Sequence, residues 1–269
     1  MKALPFILFV TLLLCCETVL LAQKKDSGEI EKQVNFINGL IREEKNELAF
    51  ESVKKLEKSL HENAESYIPL MSQFCQKFIL LDTAWQNCHE EITNLVFRIS
   101  EKKTDDPYQK KLQIEAILQF LNRDRNPMQK KEFIKERKTC SERLVRIWRQ
   151  LASTAEEKWD EEAMLKELKS KEVGFSIHMP QLNMDPNDIK DTETRKKYIE
   201  YESEKWKINA KISKRRESLK FNNELSPMIK KCLVSMYSHE PKNDKELESI
   251  LSNEKVDKKT VDEIVAAIK

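Results

Sequence analysis

Eight apolar side chains, Phe74, Phe78, Leu81, Trp85, Cys88, Ile92, Leu95 and Ile99, follow one another at spacings of 4, 3, 4, 3, 4, 3 and 4. Such a stripe lies along one face of a helix and must be buried against partner helices. The rhythm recurs elsewhere. Residues 29–45 carry Ile30, Val34, Ile37 and Ile41, and residues 47–65 carry Leu48, Val53, Leu56 and Leu60. Residues 127–170 carry Phe133, Cys140, Leu144, Ile147 and Leu151, with Arg137 interrupting. Residues 192–222 carry Tyr198, Tyr201, Ile208, Ile212 and Leu219. The expectation is an all-α protein, an elongated bundle of long helices with heptad-like seams packed at shallow angles.

Composition agrees with helix and excludes several catalytic folds. Only three glycines occur, Gly28, Gly39 and Gly174, and no two of them lie within ten residues of each other. A dinucleotide fingerprint, a Walker phosphate loop and a nucleophile elbow all need clustered glycines where the backbone approaches its ligand. Charged residues make up 35% of the chain, against a usual share of about 25%.

Prolines suggest where the helices begin. Asp106-Pro107, Asn126-Pro127 and Ser226-Pro227 each place a capping side chain before a proline suited to the first helical position. Asp191 is the expected cap of a helix starting at Thr192. Val173 to Lys190 holds Gly174, Pro180 and Pro186, and reads as an ordered crossover. The expected organisation is a leader at 1–22, an N-terminal helical bundle at 23–172, a crossover loop at 173–191, and a long helix with a short helical cap at 192–269. Short helices near 227–237, 243–253 and 257–268 make up the cap.

The first 22 residues have the layout of a secretory signal peptide. Lys2 gives a positive start, Ala3 to Cys16 is uncharged and apolar, and cleavage is expected after Ala22. The alternative is a lipid anchor at Cys15 or Cys16, although Leu14 is larger than the residue such processing prefers. No stretch after residue 23 has the roughly 18 uninterrupted apolar residues of a membrane span. The expected location is therefore periplasmic or extracellular. Removing the leader leaves Cys75, Cys88, Cys140 and Cys232, an even number in an exported chain. A Cys75–Cys88 bridge is excluded if their helix is continuous, since 13 residues span about 20 Å. A Cys88–Cys140 disulfide and four buried free thiols are both consistent with the pattern.

Motifs for chemistry are sparse. His89-Glu90-Glu91 opens like a zinc-protease turn, but Thr93 stands where the second histidine belongs. His61, His178 and His239 have no His or Cys at ligand spacing, and no Glu-x-x-His pair occurs. No cofactor is expected, and no residue is assigned a catalytic role. Charge is locally sorted: residues 205–220 carry a net +6 and residues 156–162 a net −4. Folding 127–170 back on 192–222 is expected to set the acidic run against Arg195, Lys196 and Lys197. It also brings Lys211, Lys214, Arg215 and Arg216 near Arg143, Arg146 and Arg149, a candidate site for an anionic polymer or lipid headgroup. Nucleic acid is not the expected ligand, because aromatic interleaving is missing. Trp159 and Trp206 sit in charged runs, either as anchors for a partner or packed between the long helices.

One resemblance concerns the C-terminal third. Met184-Asp185-Pro186-Asn187-Asp188-Ile189-Lys190-Asp191, Arg195-Lys196-Lys197-Tyr198, Asn209 and Leu219 resemble a segment of uncharacterised predicted secreted helical proteins of environmental bacteria. The likeness covers residues 184–268 and departs at Thr192, where those sequences place a second proline. It implies an exported bacterial protein and no activity. Taken together, the expected function is a non-catalytic interaction or structural protein, packing helix faces against another helical protein or itself. The alternatives are anionic-ligand binding at the basic zone and an enzyme of unknown type.

Overall fold

The repeated 3.6-residue stripes do close into helices. The computed structural model describes residues 28–60, 64–123, 134–157, 161–178, 189–238 and 243–268. Among them the chain is an all-α helical bundle of eleven helices with no strand. Its contacts divide into two units between Lys103 and Thr104.

The N-terminal unit contains α1 (28–42), α2 (Asn46–Ser59), α3 (Ala64–Leu80), α4 (Asp82–Asn87) and α5 (His89–Glu101). The seam from Phe74 to Ile99 is not one continuous helix. Leu81 is extended (φ −88°, ψ 119°) and Cys88 leaves helical geometry (φ −129°, ψ 30°). These two breaks let α5 pack back on α3. Phe74, Phe78, Ile92, Leu95 and Ile99 are thereby all buried in one core. Acidic residues open both new helices, Asp82 in α4 and Glu90 with Glu91 in α5, where the helix dipole favours them. The 4-3 spacing survives the turns because folding back keeps the same face inward. Phe50 of α2 stacks on Phe78 with ring centroids 3.9 Å apart. Leu48, expected in the α2 stripe, is 46% exposed instead.

The C-terminal unit contains α6 (Pro107–Arg123), α7 (Ile134–Glu156), α8 (Glu161–His178), α9 (Thr192–Tyr237), α10 (Asn243–Asn253) and α11 (Lys258–Ala266). Helices α6, α7 and α9 pack pairwise into a three-helix bundle, α8 lies along α9, and α10 and α11 close on α9. The observed division therefore differs from the expected break at 173–191, because α6 and α7 share their core with α9. Three start signals are realised. The Asp106 carboxylate accepts from Tyr108 N (3.1 Å) and Asp191 from Thr194 N (2.7 Å), both as expected; the third, Asp257 accepting from Thr260 N (2.9 Å), was not singled out in the sequence. The Asn126-Pro127 signal lies outside the described residues.

Two expectations about boundaries are corrected. Ser226-Pro227 does not start a new helix: α9 runs 46 residues with Pro227 inside. Leu225, Ile229, Cys232 and Leu233 continue its buried stripe past the proline, and that burial outweighs the missing N–H. Gly174 does not end a helix either, since α8 continues to His178.

The Cys88–Cys140 disulfide is also corrected. Cys88 sits at the α4–α5 junction of the N-terminal unit and Cys140 in α7 of the C-terminal unit, each facing its own core. Cys75, Cys88, Cys140 and Cys232 are all buried free thiols. The break at Cys88 removes the continuous helix that had kept Cys75 from it, yet both remain free. Burial pushes the Cys140 thiol up to about 12. At pH 8 the Cys140 thiol is protonated, and all four thiols are shielded by burial. An aromatic disulfide reagent is expected to react at least about 100-fold more slowly with the native chain than with the denatured one. Fewer than four of these thiols appearing on non-reducing denaturation would mean a bridge.

Candidate functional interface

The first half of α9 and α8 form a helical hairpin whose register decides the electrostatics. Lys171 Nζ lies 2.8 Å from Glu204 Oε1, and Glu161 takes Arg216 at 2.5 Å and Arg215 at 3.7 Å. The acidic end of α8 therefore meets the basic run of α9, not Arg195 to Lys197 as expected. The shift arises because α8 continues through residues 173–178, which moves the fold-back point toward the C-terminus. Arg195 instead donates to the Ile189 carbonyl (2.7 and 3.0 Å), tying down the start of α9.

The same shift separates the two halves of the proposed basic zone. Trp148, beside Ile147 on α7, donates through Nε1 to Asn222 Oδ1 (3.0 Å) and Ser226 Oγ (2.9 Å). Arg143, Arg146 and Arg149 thus lie level with α9 beyond residue 220, while Arg215 and Arg216 sit against Glu161. Arg149 pairs with Glu156 at 3.5 Å. The like-charge neighbour that Lys214 does acquire is Lys110 of α6, which is only 5% exposed. Burial holds that amine below the usual lysine range, and the charge of Lys214 acts in the same direction. Lys110 was not singled out in the sequence because it belongs to no basic run.

Between α8 and α9 the core is thin. Leu168, Tyr201, Ile208 and Ile212 are buried together with Met164 packed against them, and Ile189 with Tyr198 forms a smaller cluster. The opposite face of α9 is uncovered. Ile199, Ser203, Trp206, Ala210, Ser213 and Glu217 follow one another at spacings of 4, 3, 4, 3 and 4, and all are exposed. Trp206 is 72% exposed and Ile199 49%. A second seam of the same period as the inner one thus runs along the outside of α9. Sequence reasoning singled out Trp206 but missed the stripe around it. Small residues at Ser203, Ala210 and Ser213 conceal it from a reading that searches for large apolar side chains. Trp159, the other candidate anchor, lies outside the described residues.

A concavity of about 640 Å³ lies in the N-terminal unit, lined by Lys54, Glu57, Lys58, Tyr67, Arg98, Glu101 and Lys102. At its base Arg98 donates to both oxygens of Glu57 (2.9 and 3.0 Å), and the Tyr67 hydroxyl donates to Glu57 Oε1 (2.6 Å). Burial first, then the Glu57 hydrogen bond, push the Tyr67 phenol far above its ordinary range. Tyr67 therefore stays protonated at neutral pH, and both carboxylate oxygens are occupied. This triad ties α2, α3 and α5 together and presents no unoccupied acid or base.

His89 sits edge-on against Trp85 with centroids 4.7 Å apart. Among the described residues no group of three or more His, Cys, Asp and Glu side chains could hold a metal ion, and no helix is long and apolar enough to cross a membrane. No protein-family model, no curated protein and no solved structure matches the chain.

Proposed function

We propose that the chain is an exported, non-catalytic interaction protein that works by packing the outer face of α9 against a helical partner. The observation that carries this reading is the exposed seam centred on Trp206. Tryptophan is enriched at binding hot spots, and a large exposed apolar side chain within a heptad-spaced stripe suits helix-on-helix docking. The leader-like residues 1–22 support export, as does the likeness of residues 184–268 to secreted bacterial proteins. The alternative, anionic-ligand binding through Arg143, Arg146, Arg149, Lys211, Lys214, Arg215 and Arg216, has weaker support. Arg149, Arg215 and Arg216 already pair with carboxylates of their own chain.

The test places a photo-crosslinking amino acid at position 206 in the full chain and irradiates cells producing it. The expected result is a covalent adduct from position 206 and none from position 208 on the covered inner face. Absence of any adduct at 206, in cells where the chain accumulates folded, would sink the proposed interface.

A further inference from the structure

We infer that the partner of the α9 outer seam is a second copy of this chain, docked antiparallel about a twofold axis near residues 206–210; this rests on the proposed interface. A twofold contact requires a self-complementary surface, in which each side chain finds its counterpart on the other copy. The outer seam meets that requirement in size and in charge. With the two α9 helices antiparallel, the register that sets Trp206 over Ala210 of the partner subunit also sets Ser203 over the partner's Ser213. A large side chain then fills the space a small one leaves, twice. Ile199 meets the aliphatic stem of the partner's Glu217 at each end, where its carboxylate reaches water.

The flanking charges follow from the same register. Glu200 and Glu202 border the N-terminal half of the seam, while Lys214 and Arg216 border its C-terminal half. The antiparallel arrangement brings Glu200 to the partner's Lys214, a pair formed twice, while Glu202 and Arg216 keep their own-chain partners Lys205 and Glu161. Flanking charges of this kind set partner choice and orientation in coiled coils. The single like-charge contact is Lys207 with its own copy at the axis. A parallel pairing also finds opposite charges for Glu202, but it stacks Trp206 on Trp206, leaves Ala210 against Ala210, and buries Glu217 against Glu217. Size complementarity and the buried carboxylates decide for antiparallel.

The hairpin itself favours a helical occupant. From Ile199 to Glu217 the seam extends about 27 Å. On the inner face of this part of α9, Tyr201, Ile208 and Ile212 pack against Leu168 and Met164 of α8. Docking two hairpins would turn two thin layers into a four-helix arrangement of the usual kind.

Sedimentation of the full chain across concentration, with site-directed crosslinking, tests the inference. The weight-average mass is expected to rise toward twice the chain mass with concentration. Trp206→Glu should raise the dissociation constant at least about tenfold, the scale of a hot-spot loss. Its helical circular dichroism should be unchanged, because position 206 contributes to no core. Oxidation of a mixture of Ser203→Cys and Ser213→Cys chains should give a disulfide-linked dimer above the background of the parent chain. Ser203→Cys alone should give none, since in this register the two copies of position 203 are ten residues out of step. A concentration-independent monomer, a dimer indifferent to Trp206→Glu, or Ser203→Cys crosslinking to itself would each overturn the inference. The adduct at position 206 separates the two proposals. An adduct of twice the chain mass supports the second copy; an adduct with a different protein refutes it and leaves the interface standing.

Discussion

Trp148→Ala is expected to destabilise the C-terminal unit by about 3–5 kcal/mol, the cost of emptying a large aromatic site in a packed core. Trp148 is only 5% exposed and stands where α7 crosses the part of α9 that contains Pro227. Its indole N–H is shared between Asn222 Oδ1 and Ser226 Oγ, and Ser226 Oγ in turn lies 3.1 Å from Asn222 Oδ1. The position therefore has two separable contributions, apolar area and a polar clamp on the turn before the proline. Trp148→Phe isolates the second. It keeps most of the area but removes the donor, and Asn222 and Ser226 are half-buried, so water can partly replace it. A loss of about 1 kcal/mol is expected for Phe. Urea denaturation followed by circular dichroism measures both. If Ala and Phe cost the same, the clamp and not the packing would keep α9 continuous through Pro227. If neither costs more than a few tenths, α7 and α9 would not share this core.

Pro227 shows why the fold was only partly legible. The periodic stripes identified helix almost everywhere, because a 3.6-residue repeat of apolar side chains has one physical use. Breaks were less visible. Proline at 227 carries the same local signal as Pro107, yet Pro107 begins a helix and Pro227 lies within one. The difference is tertiary: Leu225 and Ile229 are buried on either side of Pro227, whose own side faces solvent. Leu81 and Cys88 err in the opposite direction, interrupting a stripe whose spacing never changes. No capping side chain marks either break, and only packing of α5 on α3 reveals them. The charge zone was misplaced for a related reason. A helix six residues longer than expected slides the whole hairpin and converts an expected clash of like charges into Arg215 and Arg216 on Glu161. The candidate interface was half legible. Trp206 was visible, whereas a seam built of Ser203, Ala210 and Ser213 becomes evident only once the opposite face is known to be covered.

Removing the two members of the Arg137–Glu246 pair one at a time is expected to have unequal effects, with the loss confined to removal of Glu246. Arg137, the residue that interrupts the α7 stripe, is buried in the C-terminal unit with 3% of its side chain exposed. Its one carboxylate partner among the described residues, Glu246 of α10, lies 4.0 Å away and is 26% exposed. The Arg137 Nε has no hydrogen-bond partner, and neither does Glu246 Oε1. The Tyr237 ring adds support, its centroid 4.9 Å from the guanidinium. Burial pushes the Tyr237 phenol up to about 12, so the ring stays neutral and offers a face rather than a charge. Glu246→Leu leaves a guanidinium buried without a counter-ion, and a loss of about 3 kcal/mol is expected. Arg137→Met removes the charge that cannot reach water and leaves Glu246, which can. The expected outcome lies between no change and a gain of about 2 kcal/mol. The asymmetry rests on exposure: both substitutions break the ion pair, and Arg137→Met removes the Tyr237 contact as well. Chemical denaturation midpoints of the two variants decide it. Equal losses from both would show that Arg137 is held by more than Glu246 and Tyr237, and that the under-satisfied guanidinium has a use which packing of α7, α9 and α10 does not explain.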